Sequence, residues 1–344
     1  MRKKLYKILV TGGAGFIGSN IIRYLLKKYS FYKIINLDKL TYSGNLENLK
    51  DIKKNPNYTF IKGDICNKGL LEKLAENCDI ILNFAAETHV DRSILSSDEF
   101  IKTNVIGLNQ LLKTALKYNL QKFIQISTDE VYGSIQNGEA KEFSPLNPSN
   151  PYSASKAAGD MLALSYFKTH RLPVIITRSS NNFGPYQYPE KIIPLFITNA
   201  IGNIPLPLYG TGLNIRDWIF VEDNCKAIDL IMHKGRPGEI YNIGGNCKKT
   251  NKELTTTILK LMGKPKKLIS YVKNRPGHDL RYSLDSSKIH RMGWKPKYDF
   301  LQGLQLTIKW YLGNPSWWEK IKHKDSFKMD YKQRYKNLFT PIQE

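Results

Sequence analysis

The chain has 344 residues, 41% of them hydrophobic, which suits one large globular domain or two unequal ones and excludes a low-complexity chain. Its 52 basic and 30 acidic residues give a net charge of +22; the lysines are scattered with no arginine-rich block, so the charge reads as solvated surface that attracts small anions, not as a nucleic-acid interface. Four cysteines (Cys66, Cys78, Cys225, Cys247) lack metal-ligand spacing, no apolar run reaches a membrane span, and Ile8–Val10 behind MRKKLYK is too short for a signal-peptide core, so the expectation is a cytoplasmic protein with reduced thiols, no metal and no membrane partner.

Along the first half, short β-rich runs alternate with amphipathic stretches. The pattern predicts strands over 7–11, 33–37, 58–62, 80–84, 123–127 and 174–178, and helices over 16–28, 69–76, 99–118 and 152–170. Alternating β and α units imply an α/β fold with a doubly wound, Rossmann-type parallel sheet, helices on both faces and right-handed crossovers. Past Phe183 prolines and glycines become frequent and the alternation is lost. This region is expected to be a smaller C-terminal substrate-binding α/β unit. The stretch from Ile215 to Ile243 regains the strand–helix–strand pattern and is expected to rejoin the sheet.

The first βα turn reads Thr11-Gly12-Gly13-Ala14-Gly15-Phe16-Ile17-Gly18. Glycines 12, 15 and 18 follow an apolar strand and open a helix, which lets the backbone approach a pyrophosphate at the helix N-terminus. The acid expected about 20 residues on is Asp38 at the end of the second strand, placed to bind an adenosine ribose, which favours NAD over NADP. Lys39 beside it keeps a 2′-phosphate open as the alternative. Asp64 ends the third strand in KGDI and faces the adenine in this reading; Ala85 and Ala86 end the fourth, where small side chains leave room for a dinucleotide. Phe16, Ile17, Thr41 and Ile65 complete the expected cofactor set. Residues 1–182 with 215–243 are therefore read as the NAD-binding domain, and 183–214 with 244–344 as the substrate-binding one.

Tyr152 and Lys156 lie four apart in Pro151-Tyr-Ser-Ala-Ser-Lys, on one face of a predicted helix. An ammonium beside a phenol lowers the phenol's pKa and makes it a usable base; the same spacing also fits a surface Tyr and Lys. Together with the glycine turn the pattern resembles the extended short-chain dehydrogenase/reductase superfamily. That resemblance adds Thr128 on the fifth strand to Tyr152 and Lys156 as the set that removes a proton from a sugar hydroxyl while hydride passes to NAD.

An acidic pair follows directly, in Thr128-Asp129-Glu130-Val131-Tyr132-Gly133. This motif resembles the dTDP-glucose 4,6-dehydratase family, and the likeness extends over nearly the whole chain through LDKLTYSGN (37–45), NFAAETHVDRS (83–93), PYSASKAAGD (151–160), RSSNNFGPYQYPEKIIP (178–194), IRDWIFVEDNC (215–225) and RPGHD (275–279). The resemblance implies C4 oxidation of a hexose by NAD, loss of water across C5–C6, and hydride return to C6. Glu130 is then the base for the C5 proton and Asp129 the acid for the C6 hydroxyl. Asp129 must hold its proton; burial, a neighbouring carboxylate and an anionic substrate all favour that. In a regular strand these two side chains point to opposite faces, so the strand must break by Asp129. The alternative is that one acid caps the following turn and only the other faces substrate.

The resemblance also places Thr88, His89, Asn181, Glu190, Lys191, Arg216, Asn251, Arg275 and His278 around the nucleotide sugar. Arginine suits a diphosphate because its fork donates paired hydrogen bonds. Arg216 has Asp217 as an alternative partner, Lys191 has solvent, and the two histidines fit a structural role equally well. Trp317-Trp318 reads as a packed helix rather than a stacking platform, and the basic, aromatic tail from Lys320 to Glu344 is assigned no role. Relatives dimerise through a four-helix bundle; here the matching helices lie near 99–118 and 152–170, with Leu108, Leu111, Leu112, Met161, Leu162 and Leu164 as apolar surface that fits the chain's own sheet equally. Family likeness further suggests a deoxysugar pathway such as rhamnose. The rival reading is a 4,6-dehydratase of UDP-glucose or another nucleotide hexose; an epimerase does not need the acidic pair, and a non-catalytic NAD binder would not need Tyr152 and Lys156.

Overall fold

Twelve strands run through residues 6–335, the part of the chain that the computed structural model describes. They are β1 (Lys7–Thr11), β2 (Lys33–Asp38), β3 (Tyr58–Lys62), β4 (Ile80–Asn83), β5 (Lys122–Thr128), β6 (Val174–Ser179), β7 (Asn181–Phe183), β8 (Leu206–Tyr209), β9 (Ile215–Phe220), β10 (Ile240–Ile243), β11 (Lys248–Thr250) and β12 (Ile269–Val272). The first five residues of the basic N-terminus and the last nine of the tail lie outside the described residues.

Seven strands form one parallel sheet in the order β10-β6-β5-β4-β1-β2-β3. Such a sheet is covered on both faces, so its strands read as continuous apolar runs; Ile8, Leu9 and Val10 of β1 are each wholly buried. The helix Phe16–Lys28 packs one face through Ile21, Ile22 and Leu25, and Leu108–Lys117 packs the other through Leu108, Leu111 and Leu112. Strand order reverses between β1 and β4, and the crevice beyond their C-terminal ends is where a doubly wound sheet takes its ligand.

The predicted 99–118 helix is interrupted. An α-helical turn Asp98–Ile101 leads into a wider π turn, Lys102–Gly107, before Leu108–Lys117 resumes the α form. The extra residue turns Asn104 inward, where its amide bonds the backbone of Glu87 and Ser155 Oγ. Apolar periodicity alone carries no trace of this insertion.

The 215–243 stretch divides. β10 returns to the large sheet beside β6, but β9 does not: it pairs in parallel with β7 and antiparallel with β11 in a three-stranded sheet. Ile219 of β9 packs into the core of the large sheet, while Trp218 and Phe220 face a second core. A strand buried on both faces looks the same in sequence whichever sheet it joins, which is why the pattern misplaced it. The second core gathers Phe183, Phe196, Leu254, Leu304, Tyr311 and both Trp317 and Trp318. Trp318 Nε1 donates to Tyr311 O at 2.9 Å and Trp317 Nε1 to Asn48 Oδ1 at 2.9 Å, so the tryptophan pair is packed structure. Among the described residues no helix is long and apolar enough to cross a membrane.

Candidate active site

The glycine turn builds one wall of a cleft at the β1–β4 crevice. Gly12 sits at φ +71°, and a Cβ there would lie 2.5 Å from Ala85 N; one on Gly18 would lie 2.4 Å from Gly12 O. Both positions need glycine for the close approach of β4 and of the helix to the turn. Asp38 ends β2 with its carboxylate accepting from Ala14 N and Leu40 N, both at 2.8 Å. Lys39 Nζ is held by Asp64 Oδ2 at 2.9 Å, so the cation that kept a 2′-phosphate open already has a partner. The cradle that a Cβ would fill, with a carboxylate at its rim, fits a dinucleotide. Gly12, Gly15, Phe16, Ile17, Gly18, Asp38, Lys39, Thr41, Asp64, Ile65, Ala85 and Ala86 all line this cleft, with Thr128, Asp129, Tyr152 and Lys156 at its inner end.

β5 stops at Thr128, and Asp129–Tyr132 is a 3-10 turn capped by the Thr128 hydroxyl, which accepts from Glu130 N at 3.2 Å and donates to Asp129 Oδ1 at 3.2 Å. Gly133 closes the turn at φ +70°, where a Cβ would fall 2.1 Å from Asn147 O. The break frees the two acids from strand alternation. Asp129 lines the dinucleotide cleft, Glu130 lines an adjoining cavity, and Tyr152 and Asn181 border both. Burial holds Asp129 well above the usual carboxylate range; the Glu130 charge adds to this and Arg216 opposes it. Burial also raises Glu130, against Arg275, Lys191 and Arg216.

Tyr152 and Lys156 lie on the helix Pro151–His170, whose start is fixed by a capping box between Asn150 and Ser153. Lys156 Nζ donates to Ile126 O at 2.7 Å, and burial brings the ammonium down to about 8, with Asp160 opposing. The expected fall of the Tyr152 phenol is not what the structure shows. Burial raises it, Glu130 raises it further, and the Thr128 hydroxyl opposes. Desolvation of the phenolate is the largest influence here.

The adjoining cavity is rich in cations. Arg216 on β9 donates to Ile215 O (2.8 Å) and Asp279 O (2.9 Å) and stacks 4.2 Å from the Tyr282 ring. Asp217 points the other way and accepts from Cys247 N at 2.7 Å, so strand alternation rules out the Arg216–Asp217 pair. Arg275 Nη1 reaches Asp91 Oδ1 at 3.1 Å. Lys191 is lowered by burial, with Glu190 and Glu130 opposing. Glu190 lies 3.8 Å from Arg92 Nε and 3.6 Å from Arg334 Nη2. His89 takes a left-handed φ of 93° and its Nε2 lies 2.9 Å from Arg334 Nη1. Arginine only donates, so Nε2 is the acceptor and the ring is neutral; burial and the surrounding cations keep its pKa well below the ordinary value. His278, 2.6 Å from Asn274 Oδ1, is lowered to about 3 by burial and by Arg275. Asn251 opens the helix Asn251–Leu261 at the cavity edge.

Residues 9–307 match the model of the GDP-mannose 4,6 dehydratase family. A dTDP-glucose 4,6-dehydratase of Streptomyces niveus is 50% identical over 324 residues, 93% of this chain and 96% of the relative. The crystal structure of a dTDP-glucose 4,6-dehydratase from Bacillus anthracis in complex with NAD is 54% identical, covers 92% of this chain and 100% of its own, and superposes with a TM-score of 0.88. A dTDP-glucose 4,6-dehydratase from Streptomyces venezuelae, also with NAD bound, is 48% identical over 92% of this chain and 100% of its own, with a TM-score of 0.90.

The chain belongs to the dTDP-glucose 4,6-dehydratase family.

In this dehydratase His89, Asn181, Glu190, Lys191, Arg216, Asn251, Arg275 and His278 share the second cavity, as sequence reasoning grouped them. Thr88 does not join them: it lines the dinucleotide cleft, and Tyr42 donates to its carbonyl at 3.0 Å. Sequence reasoning missed Tyr42 in the cleft and Asp91, Arg334 and Tyr335 in the second cavity, along with Arg92, which stacks on the Tyr42 ring and lies beside Glu190. Asp91 and Arg92 stand inside the THVDRS motif, next to His89. Arg334 and Tyr335 come from the tail left without a role, and only the tail's basic and aromatic composition hinted at a ligand wall. Among the described residues no group of three or more His, Cys, Asp or Glu side chains is gathered to hold a metal.

Proposed function

We propose that this dehydratase holds NAD in the glycine-turn cleft and dTDP-glucose across the adjoining cavity, and converts it to dTDP-4-keto-6-deoxyglucose. The observation that carries this reading is the division of the acidic pair between two cavities that meet at Tyr152. NAD bound in the cleft supplies a hydride acceptor at C4 and, once reduced, the donor to C6. Tyr152, with Thr128 and the Lys156 ammonium, is the base for the C4 hydroxyl; the phenol that burial raises would need the positive charge of a nicotinamide bound in the cleft, beside that ammonium, to give up its own proton first. Glu130 removes the C5 proton that the 4-keto group has made acidic. Asp129, still protonated, gives its proton to the departing C6 hydroxyl, which leaves as water. A proton returned to C5 completes a reaction whose net change is loss of one water.

In this reading Arg216 and Arg275 pair their donors with the diphosphate, Lys191 adds a third cation, and the neutral His89 adds a donor at Nδ1, while His278, whose Nδ1–H is taken by Asn274 Oδ1, offers an acceptor at Nε2. Asn181, Glu190 and Asn251 then face the sugar and base. NAD binding falls to 1–182 with the 221–243 part of 215–243, while β9 serves the substrate unit with 183–214 and 244–344. The exposed Ile101, Ile106 and Met161, each 45–50% accessible, support a homodimer through helices 98–117 and 151–170. Leu108, Leu111 and Leu112 are wholly buried against the chain's own sheet and do not serve it. A cytoplasmic enzyme without nucleic-acid or membrane partners, feeding a deoxysugar route such as that to rhamnose, completes the reading.

The test is incubation of the purified protein, without added cofactor, with dTDP-glucose and UDP-glucose in parallel, following water loss by mass spectrometry. Water lost from dTDP-glucose alone supports the reaction, the base and retained NAD. Loss mainly from UDP-glucose moves the substrate, and loss from neither after NAD is added sinks the reading.

A further inference from the structure

Arg178 on β6 is the largest side chain among the fully buried ones, only 1% exposed. Its Nε donates to Asp160 Oδ2 at 2.9 Å, and Asp160 is wholly buried as well. An ion pair withdrawn from water is a poor source of stability, because an apolar pair of similar volume does as well or better. The pair's position suggests another use. Asp160 is one helical turn beyond Lys156 on the helix that also carries Tyr152. The Arg178 guanidinium stacks 4.7 Å from the ring of Tyr132, the last residue of the turn that carries Asp129 and Glu130. Tyr132 in turn donates to Asn242 Oδ1 at 2.9 Å, and Asn242 Nδ2 donates to Ala140 O at 2.9 Å in the loop between turn and helix. One guanidinium therefore touches both halves of the acid–base apparatus, and its planar fork fixes their relative placement in a way a flexible apolar side chain does not.

We propose that the buried Asp160–Arg178 pair is a positioning clamp that holds the turn bearing Asp129 and Glu130 in register with the helix bearing Tyr152 and Lys156. Neither residue touches substrate; both act through the groups they hold. The inference rests on the dehydratase reading of those four residues. It implies that oxidation and elimination are matched by the clamp, so that losing it slows elimination more than it weakens substrate binding.

The test is the double variant Asp160→Asn/Arg178→Met, which removes both partners of the pair together; because Asp160 also supports the Lys156 ammonium, exchange in the turn is the deciding readout and the kinetics are secondary. The expected result is a Tm close to that of the parent, and amide exchange about tenfold faster or more at Glu130 and Gly133, whose N–H groups donate to Thr128 Oγ1 and Glu130 O. With dTDP-glucose, kcat falls about tenfold with KM nearly unchanged, and reduced nicotinamide dwells longer on the enzyme. Parent-like exchange in the turn, or a parent-like kcat, overturns the clamp. If the double variant does not fold, Arg178→Lys keeps the charge but loses the fork: faster turn exchange then supports the clamp, and unchanged exchange refutes it. Exchange is measured without substrate, so a parent enzyme that fails to dehydrate dTDP-glucose removes the catalytic reading and leaves the clamp to be decided by exchange.

Discussion

Arg334 Nη1 lies 2.9 Å from His89 Nε2 across a separation of 245 residues. The same guanidinium contacts Glu190 and Asp330, so the helix Asp325–Arg334 brings its last residue into the wall of the second cavity. Replacing Arg334 by Gln is expected to raise KM for the nucleotide sugar about 10–100-fold, the range of one or two charge-assisted hydrogen bonds, with a smaller change in kcat. Steady-state kinetics checks it; an unchanged KM makes the contact a packing detail.

The division of the acids gives a sharper outcome. Asp129→Asn and Glu130→Gln are each expected to lower kcat for dehydration about 10²–10⁴-fold while leaving C4 oxidation in place. Mixing either variant with dTDP-glucose should produce a lasting near-ultraviolet absorbance of reduced nicotinamide. A variant that loses the oxidation signal as well would show that the acid serves both steps.

Asp129 also ties stability to pH. Burial raises its folded-state pKa above the unfolded value, so between those values the folded state binds more protons and stability falls as pH rises. Asparagine has no such slope. The Tm of Asp129→Asn is therefore expected to exceed that of the parent by a margin that widens upward from about pH 4, with a slope of at most ~1.4 kcal/mol per pH unit. Thermal melts across pH decide it, and parallel curves reject a protonated Asp129.

Gly18 offers a test of the cofactor cradle. A Cβ there meets Gly12 O at 2.4 Å and Gly13 Cα at 2.8 Å, both backbone atoms that cannot step aside. Gly18→Ala is expected to cost ~1–3 kcal/mol of stability by overpacking and to strip NAD from the purified protein. The ratio of bound nicotinamide to protein, read by chromatography after denaturation, checks it.

Much of this architecture is local and therefore visible in sequence. β1 and β3 and the helix Phe16–Lys28 end where periodicity and the glycine turn place them. The need for the chain to break at Asp129 follows from side-chain alternation alone, and the 3-10 turn supplies the break. What was not legible is non-local or environmental. β9 alternates Arg216, Asp217, Trp218 and Ile219 as any buried strand does, and its partner β7 is chosen by tertiary packing. The Tyr152 phenol rises because the folded chain withdraws it from solvent, and nothing in YSASK reports that burial. Arg334 enters the cavity from the far end of the chain, so no spacing rule reaches it.

The abrupt end of β5 has a further consequence. Thr128 caps the turn from the residue immediately before Asp129, and Gly133 closes it where Asn147 O leaves no room for a side chain. The two carboxyl groups are thus addressed to their cavities by counting from the cap. A single residue inserted between Thr128 and Glu130 would deliver the acid to the wrong compartment with every side chain intact. Segment length here is as fixed as the side chains, so diversification of substrate is expected to proceed through the cavity walls and never through insertion or deletion in this turn.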